Sequence, residues 1–326
     1  MTEIIDIRIL RQDVCSELPY RRIDEAAGVY SQIRGGRAEL YGTTAVVNIR
    51  AILGMPFSSA SQRRKWAAAI LGYQREDGIF VPEGKGFGPG HALIMVLQAL
   101  NLLCEPIPSN AGPLAPLDPS ELSLWLKGHD WKSTHKELCG SAMPLLADGA
   151  VSSEWIRVFT REISSRLSAE RPLETWCAAD APPWQVISCI YHVLESYDAG
   201  CISYPEPDLL LDRLLKLGWP DRRKAEQQTE CTDGDWAWLL IELCKLRHER
   251  YVKAMQQIRS VSVQRAGEWN GGKIKLSEMT THGIYCFLWV TALFQHQTRD
   301  LFSGPWMYDT LNDPTLFRLG RNIIGQ

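Results

Sequence analysis

The sequence predicts an all-α protein, an (α/α)6 toroid of alternating inner and outer helices. Three observations carry that prediction. Strand patterns are scarce, and apolar residues recur at helical spacing between breaks of Gly, Pro, Asp and Ser. Six strongly apolar segments, each opened by small, polar or His-containing residues, recur about every 45–50 residues, a spacing that marks repeat architectures. Between them lie more charged, amphipathic segments at 61–74, 152–169, 208–224 and 247–262. A helix that is apolar all round is buried, and one with a single apolar stripe has a wet face. Six such pairs close into a ring, with the inner helices parallel and their N-termini at one mouth.

The first inner helix, 41–53, opens on Tyr41-Gly-Thr43-Thr. The second, 90–100, opens on Gly90-His91, and the third and weakest, 134–144, on Thr134-His135 before it meets Pro144. Pro183-Trp184 begins the fourth at 183–194. The fifth, 233–243, starts Asp233-Gly-Asp235-Trp236-Ala-Trp238. Thr281-His282-Gly-Ile-Tyr285-Cys286 leads the sixth, 281–293. The expected mouth is therefore Tyr41, Thr43, His91, His135, Trp184, Asp233, Asp235 and His282. The period spans nearly the whole chain, so the expectation is one domain over 1–326, with 1–35 and 300–326 as peripheral terminal segments.

Composition narrows the function classes. With 45% hydrophobic and 22% charged residues, the chain is neither disordered nor fibrous. A formal charge of −3 leaves no excess of Lys and Arg for a phosphate backbone, so nucleic acid is not the expected partner. The apolar stretches 92–104 and 284–294 are too short for a transmembrane span. No basic start with a following apolar region marks a signal peptide. Nine Cys without a CxxC pair, most of them in apolar helical runs, read as reduced thiols of a cytoplasmic protein. The 12 Trp outnumber the 8 Phe and the 10 Tyr, which suits cores, stacking surfaces and cavity walls.

Asp233 and Asp235 carry the most chemistry. Either one alone is explained by the free N–H groups and dipole of a helix N-terminus. Two at this spacing exceed what capping needs. Facing one closed aromatic cavity, they repel, and a carboxylic acid kept neutral there donates a proton. Trp236 and Trp238 then line the cavity and stabilise a cation. His282 opens the next inner helix and serves as a ligand or orients Asp235. His91 is a wall residue or a satisfied structural histidine. His192, His248 and His296 read as structural or solvated.

Two segments share the form Gln, spacer, Gly, any residue, aromatic: Gln74-Arg-Glu-Asp-Gly78-Ile-Phe80 and Gln264-Arg-Ala-Gly267-Glu-Trp269. In each, Gly is expected to end a helix, Gln to bond loose backbone groups and the aromatic to pack over the turn. This resembles the QW repeat of the terpenoid cyclase and protein prenyltransferase β-subunit superfamily, whose fold is an α/α toroid. The Gly-rich run Gly86-Phe-Gly-Pro-Gly-His91 is similar to an inner-helix entry in prenyltransferase β subunits. The resemblance implies two chemistries. Asp233 and Asp235 match the first and second Asp of the cyclase DxDD motif, with Trp236 in the third place. That implies protonation-initiated cyclisation of an isoprenoid by Asp235, supported by Asp233 and His282, without a cofactor. In prenyltransferase β subunits, zinc is bound by a DxC sequence on the fifth inner helix and a His on the sixth. Here Asp233, Asp235 and His282 stand at those places, and Cys231 falls outside the pattern. That set suits Zn or Mg.

The leading expectation is thus a terpenoid cyclase-like enzyme with a hydrophobic small-molecule substrate bound by Trp236, Trp238, Trp184, His91, Tyr41 and Tyr285. Metal-dependent prenyl transfer is the alternative, and a partner subunit stays open. A carbohydrate-active α/α barrel is a further alternative, with Asp233 or Asp235 paired with Asp180, Glu137 or Glu278, or with His91, His135 or His282 as base. A ring without chemistry is also consistent with the fold.

Overall fold

The structure, a computed structural model, describes residues 4–55, 57, 59–82, 88–129, 135–165, 182–219, 230–245, 248–308 and 314–319. It is all-α, with twelve α-helices and four strands of two or three residues among the described residues. Its contacts divide it into two compact units, Met1–Gly72 with Asp221–Asp313, and Tyr73–Pro220 with Pro314–Gln326.

In the first unit, β1 (Ile5–Asp6) pairs in parallel with β4 (Phe302–Ser303). Helix α1 (Ile7–Glu17) follows, capped by the Asp6 carboxylate, which accepts the Arg8 N–H. It buries Ile7, Leu10 and Val14, the i, i+3, i+7 stripe of an amphipathic helix. Strands β2 (Arg22–Asp24) and β3 (Val29–Tyr30) form a hairpin. Its turn residue Gly28 has φ +76 and lies against the indole of Trp66. That ring donates its N–H to the Glu25 carbonyl at 3.1 Å. Trp66 sits on α3 (Ala60–Leu71), where Arg64 and Lys65 face solvent as a wet outer face requires.

Helices α2 (Leu40–Ile52), α10 (Glu230–Lys245) and α12 (Thr281–Gln297) form the buried layer of this unit, and α12 packs on both of the others. Nearly every residue of α2 and α12 is buried, as expected of inner helices. The connecting helix α11 (His248–Asn270) packs on α10 and α12. Between α10 and α12, Cys231 meets His282 and Gly234 meets Trp289, so contacts advance in the same direction and the helices run parallel. Gly234 is required there, because a Cβ at this position would enter the Trp289 ring.

The second unit contains α4 (Pro89–Leu102), α5 (Pro119–Lys127), α6 (His135–Ala147), α7 (Ser153–Ser164), α8 (Pro183–Ala199) and α9 (Pro207–Leu217). The buried helices pack in the order α4–α6–α8, and α5 packs on α7. Helix α7 shows the outer pattern: Trp155, Val158, Phe159 and Ile163 are buried, while Glu154, Arg157 and Arg161 face water. Where α4 meets α6, a Cβ on Gly140 would strike the Gly90 carbonyl, so the helices cross at a glycine pair. A 3-10 turn, Pro314–Phe317, packs on all three buried helices. Asn101 on α4 holds it by donating to the Leu316 carbonyl at 2.6 Å.

The two Gln–Gly–aromatic segments differ. In the first, the Gln74 amide donates to the Gly78 carbonyl at 3.1 Å, Gly78 has φ +85 and Phe80 is fully buried, the local geometry expected of it. In the second, α11 runs through Gly267 and ends at Asn270, and Gly272 takes the left-handed conformation instead. Gln264 bonds the Glu268 side chain at 2.9 Å, one turn on, because both sit on an intact helix. Cys104, at the end of the apolar stretch 92–104, is not in a helix. It lies beyond α4, exposed at φ +55, because the helix ends at Leu102.

Candidate functional site

The N-terminus of α12 is pinned before any chemistry is placed on it. Thr280 caps the helix by accepting the Gly283 N–H at 2.9 Å. The Thr281 hydroxyl donates to the Ser31 carbonyl at 2.6 Å, and the His282 N–H donates to the Gln32 side-chain oxygen at 3.0 Å. These bonds fix the rotation of α12, and His282 presents its ring edge-on to Tyr41, 5.4 Å between centroids, with Tyr285 at 5.7 Å.

His282 Nε2 lies 3.4 Å from Cys231 Sγ and 3.5 Å from Cys286 Sγ. The two sulfurs are 2.8 Å apart, and neither cysteine is in a disulfide. Cys286 is four residues after His282, so one face of α12 supplies both groups. Cys231 comes from the first turns of α10. The donor set fits a zinc-class ion. Tetrahedral bonds of about 2.3 Å to sulfur and about 2.0 Å to nitrogen require S···N separations of about 3.5 Å, near those observed. The sulfurs need about 3.7 Å, so they must part by rotation about a side-chain bond. Three protein ligands leave the fourth position for water or substrate, the arrangement of catalytic zinc sites.

The metal set read from sequence is thus composed differently. His282 is in the cluster, but Asp233 and Asp235 are not among the donors within 4.8 Å of one another. Helix geometry explains Asp233. Two residues after Cys231, it points about 200° around the helix, away from α12. There it is paired with Arg265 of α11, both side chains buried. Asp235 is buried on α10, one turn beyond Cys231, with Trp236 and Trp238 also buried. Tyr41 and Tyr285 are buried beside His282, as described above.

Trp184 and His91 belong to the second unit. Trp184 is half-buried in the first turn of α8. His91, in the first turn of α4, meets His192 of α8 edge-on at 5.9 Å. The side chain of His135 lies outside the described residues, as does Asp180. Glu137 accepts the Gly90 N–H at 2.5 Å, and Glu278 pairs with Lys275 at the surface. His296 Nε2 donates to the Met307 carbonyl at 3.2 Å.

Sequence reasoning missed Cys231 and Cys286 as site residues, Arg265 as the partner of Asp233, and His192. Two spacings carried the signal: His282-x3-Cys286 and His192-x2-Glu195 each place two donor groups on one helix face. Glu195 is buried, and burial pushes its carboxyl up to about 7 despite hydrogen bonds from Cys139 and Tyr191.

Among the described residues, no helix is long and apolar enough to cross a membrane. No protein-family model, curated protein or solved structure matches the chain.

Proposed function

We propose that this chain is a metal-dependent enzyme acting on an apolar, isoprenoid-class substrate, with a zinc-class ion held by Cys231, His282 and Cys286. The observation that carries the reading is the donor cluster itself: two thiols and an imidazole within 3.5 Å of one another at the N-terminal ends of two parallel buried helices. Such an ion supplies Lewis acidity and activates a nucleophile at its open position. Tyr41 and Tyr285 flank the imidazole and orient it. Trp236 and Trp238 add aromatic surface of the kind that packs prenyl chains and stabilises positive charge. The substrate class rests on the resemblance to terpenoid cyclases and prenyltransferase β subunits. The closed (α/α)6 ring is part of the same proposal. The packing orders α10–α12–α2 and α4–α6–α8 within the two units support it, as does the parallel pair α10 and α12. Among the described residues the eight cysteines form no disulfide, which supports a reducing, cytoplasmic setting.

Metal analysis with an isoprenyl diphosphate turnover assay tests this reading. The expected result is one zinc per chain lost in Cys231→Ser/Cys286→Ser, with turnover abolished by that variant and by chelation. Turnover that survives both sinks it.

A second reading, protonation-initiated cyclisation by Asp235, is favoured by one observation. Asp235 is buried beside two buried indoles, while Arg265 takes up its neighbour Asp233. Activity that withstands chelation but disappears in Asp235→Asn selects this reading instead.

A further inference from the structure

We propose that Cys139, His192 and Glu195 form a metal site of their own between α6 and α8, one that takes a zinc-class divalent ion. It uses none of the residues of the site above and stands whether or not that reading holds.

The three donors differ in kind and converge on one point. Cys139 Sγ lies 3.3 Å from Glu195 Oε2, and His192 Nδ1 lies 3.5 Å from the same oxygen. All three donor atoms are within 4.8 Å of one another, and all three residues are buried. A tetrahedral zinc with ordinary bond lengths sets sulfur and oxygen about 3.6 Å apart and nitrogen and oxygen about 3.4 Å apart. Both observed separations from the carboxylate oxygen are within a few tenths of an ångström of these values, and the sulfur and nitrogen lie within 4.8 Å of each other. One sulfur, one nitrogen and one oxygen make the borderline set that zinc accepts and that magnesium or calcium does not.

The surroundings are those of a built site. The Tyr191 hydroxyl donates to the other carboxylate oxygen, Glu195 Oε1, at 3.1 Å, and so orients the ligand from outside the donor shell. His192 is braced by the rings of Tyr191 and His91, 4.9 and 5.9 Å away. The α4–α6 glycine crossing sets the backbone frame that carries Cys139. Charge points the same way. The buried carboxylates of Glu17, Asp233 and Glu242 each pair with Arg or Lys. Among the described residues, Glu195 pairs with no Arg or Lys, and the basic group beside it, His192, carries a charge only when protonated. A buried carboxylate without a compensating cation is costly, and a divalent ion supplies that compensation. Cys139 has no exposed surface, and His192 and Glu195 keep 7% and 6%. Metal uptake releases the Cys139 thiol proton to solvent.

Cobalt(II) titration of the full chain tests the proposal, read by the thiolate-to-metal charge-transfer band. Cys139→Ser and His192→Gln are each expected to bind one equivalent fewer than the wild type, with unchanged far-ultraviolet circular dichroism. Equal stoichiometry in folded variants and wild type overturns the site. X-ray absorption of zinc-loaded Cys231→Ser/Cys286→Ser gives a second readout that leaves this cluster intact. A single sulfur at about 2.3 Å with nitrogen and oxygen neighbours is the expected shell. A shell without sulfur, or no bound zinc, overturns the proposal.

Discussion

The carboxylate of Asp233 is closed on the guanidinium of Arg265, and the two side chains are 1% and 5% exposed. This ion pair joins α10 to α11 and ties the first Asp of the Asp233–Gly–Asp235 motif to the neighbouring helix. Arg265 also lies 5.8 Å from the Phe287 ring centroid, so the pair is packed as well as charged. Removing one partner strands the other charge in the interior. Asp233→Ala and Arg265→Ala are each expected to cost about 3–5 kcal/mol. The pair Asp233→Leu/Arg265→Met is expected to recover most of that loss. Urea unfolding of the three variants measures it, and additive losses in the double variant would show that the two charges do not interact.

Glu195 predicts a pH dependence whose sign follows from burial. In the metal-free protein its carboxyl is pushed from 4.5 to about 7. Between those values the folded chain keeps a proton that the unfolded chain releases, so stability falls as pH rises through the window and levels off above it. The total effect is on the order of 3 kcal/mol. Glu195→Gln removes the titrating group and leaves Cys139 and His192 in place. In the presence of a chelator, it is expected to be more stable than the wild type at pH 8 and to lose that advantage near pH 4.5. A variant whose advantage is the same at both ends contradicts this.

The glycines at the helix crossings are the next test. Gly140→Ala drives a Cβ into the Gly90 backbone, which has no rotamer to yield, and Gly234→Ala drives one into the Trp289 ring. Overpacking of this kind costs about 1–3 kcal/mol, against the gain of roughly 1 kcal/mol that alanine brings to a helix. Both variants are expected to be net destabilised in thermal melts, Gly140→Ala more so. Gly234→Ala/Trp289→Leu is expected to restore stability relative to Gly234→Ala, since it frees the space.

At the turn after α3, Gly78 holds φ +85 and a Cβ there would meet the Asn110 carbonyl. Gln74→Ala removes only the amide bonds to Gly78 and Asn110 and is expected to cost about 1 kcal/mol. Gly78→Ala adds backbone strain to the clash and is expected to cost more, about 1–3 kcal/mol. Chemical denaturation that ranks the two the other way would mean that the side-chain bonds, not the left-handed glycine, hold the turn.

The all-helical class, the alternation of buried and amphipathic helices and the wet faces of α3 and α7 were legible in the sequence. Each depends on local periodicity, and burial follows directly from where apolar side chains recur along a helix. Asp233, Asp235 and His282 were legible as buried polar residues near helix starts for the same reason. What stands beside them was decided only in three dimensions. Asp233 meets Arg265 across 32 residues and His282 meets Cys231 across 51, because helix rotation and interhelical packing select which side chains face one another. The missed spacings along one helix place His282 with Cys286 and His192 with Glu195 on a shared face, but do not contain Cys231 or Cys139, which complete each set. A cluster drawn from two helices is a property of their packing, and no single-helix pattern contains it.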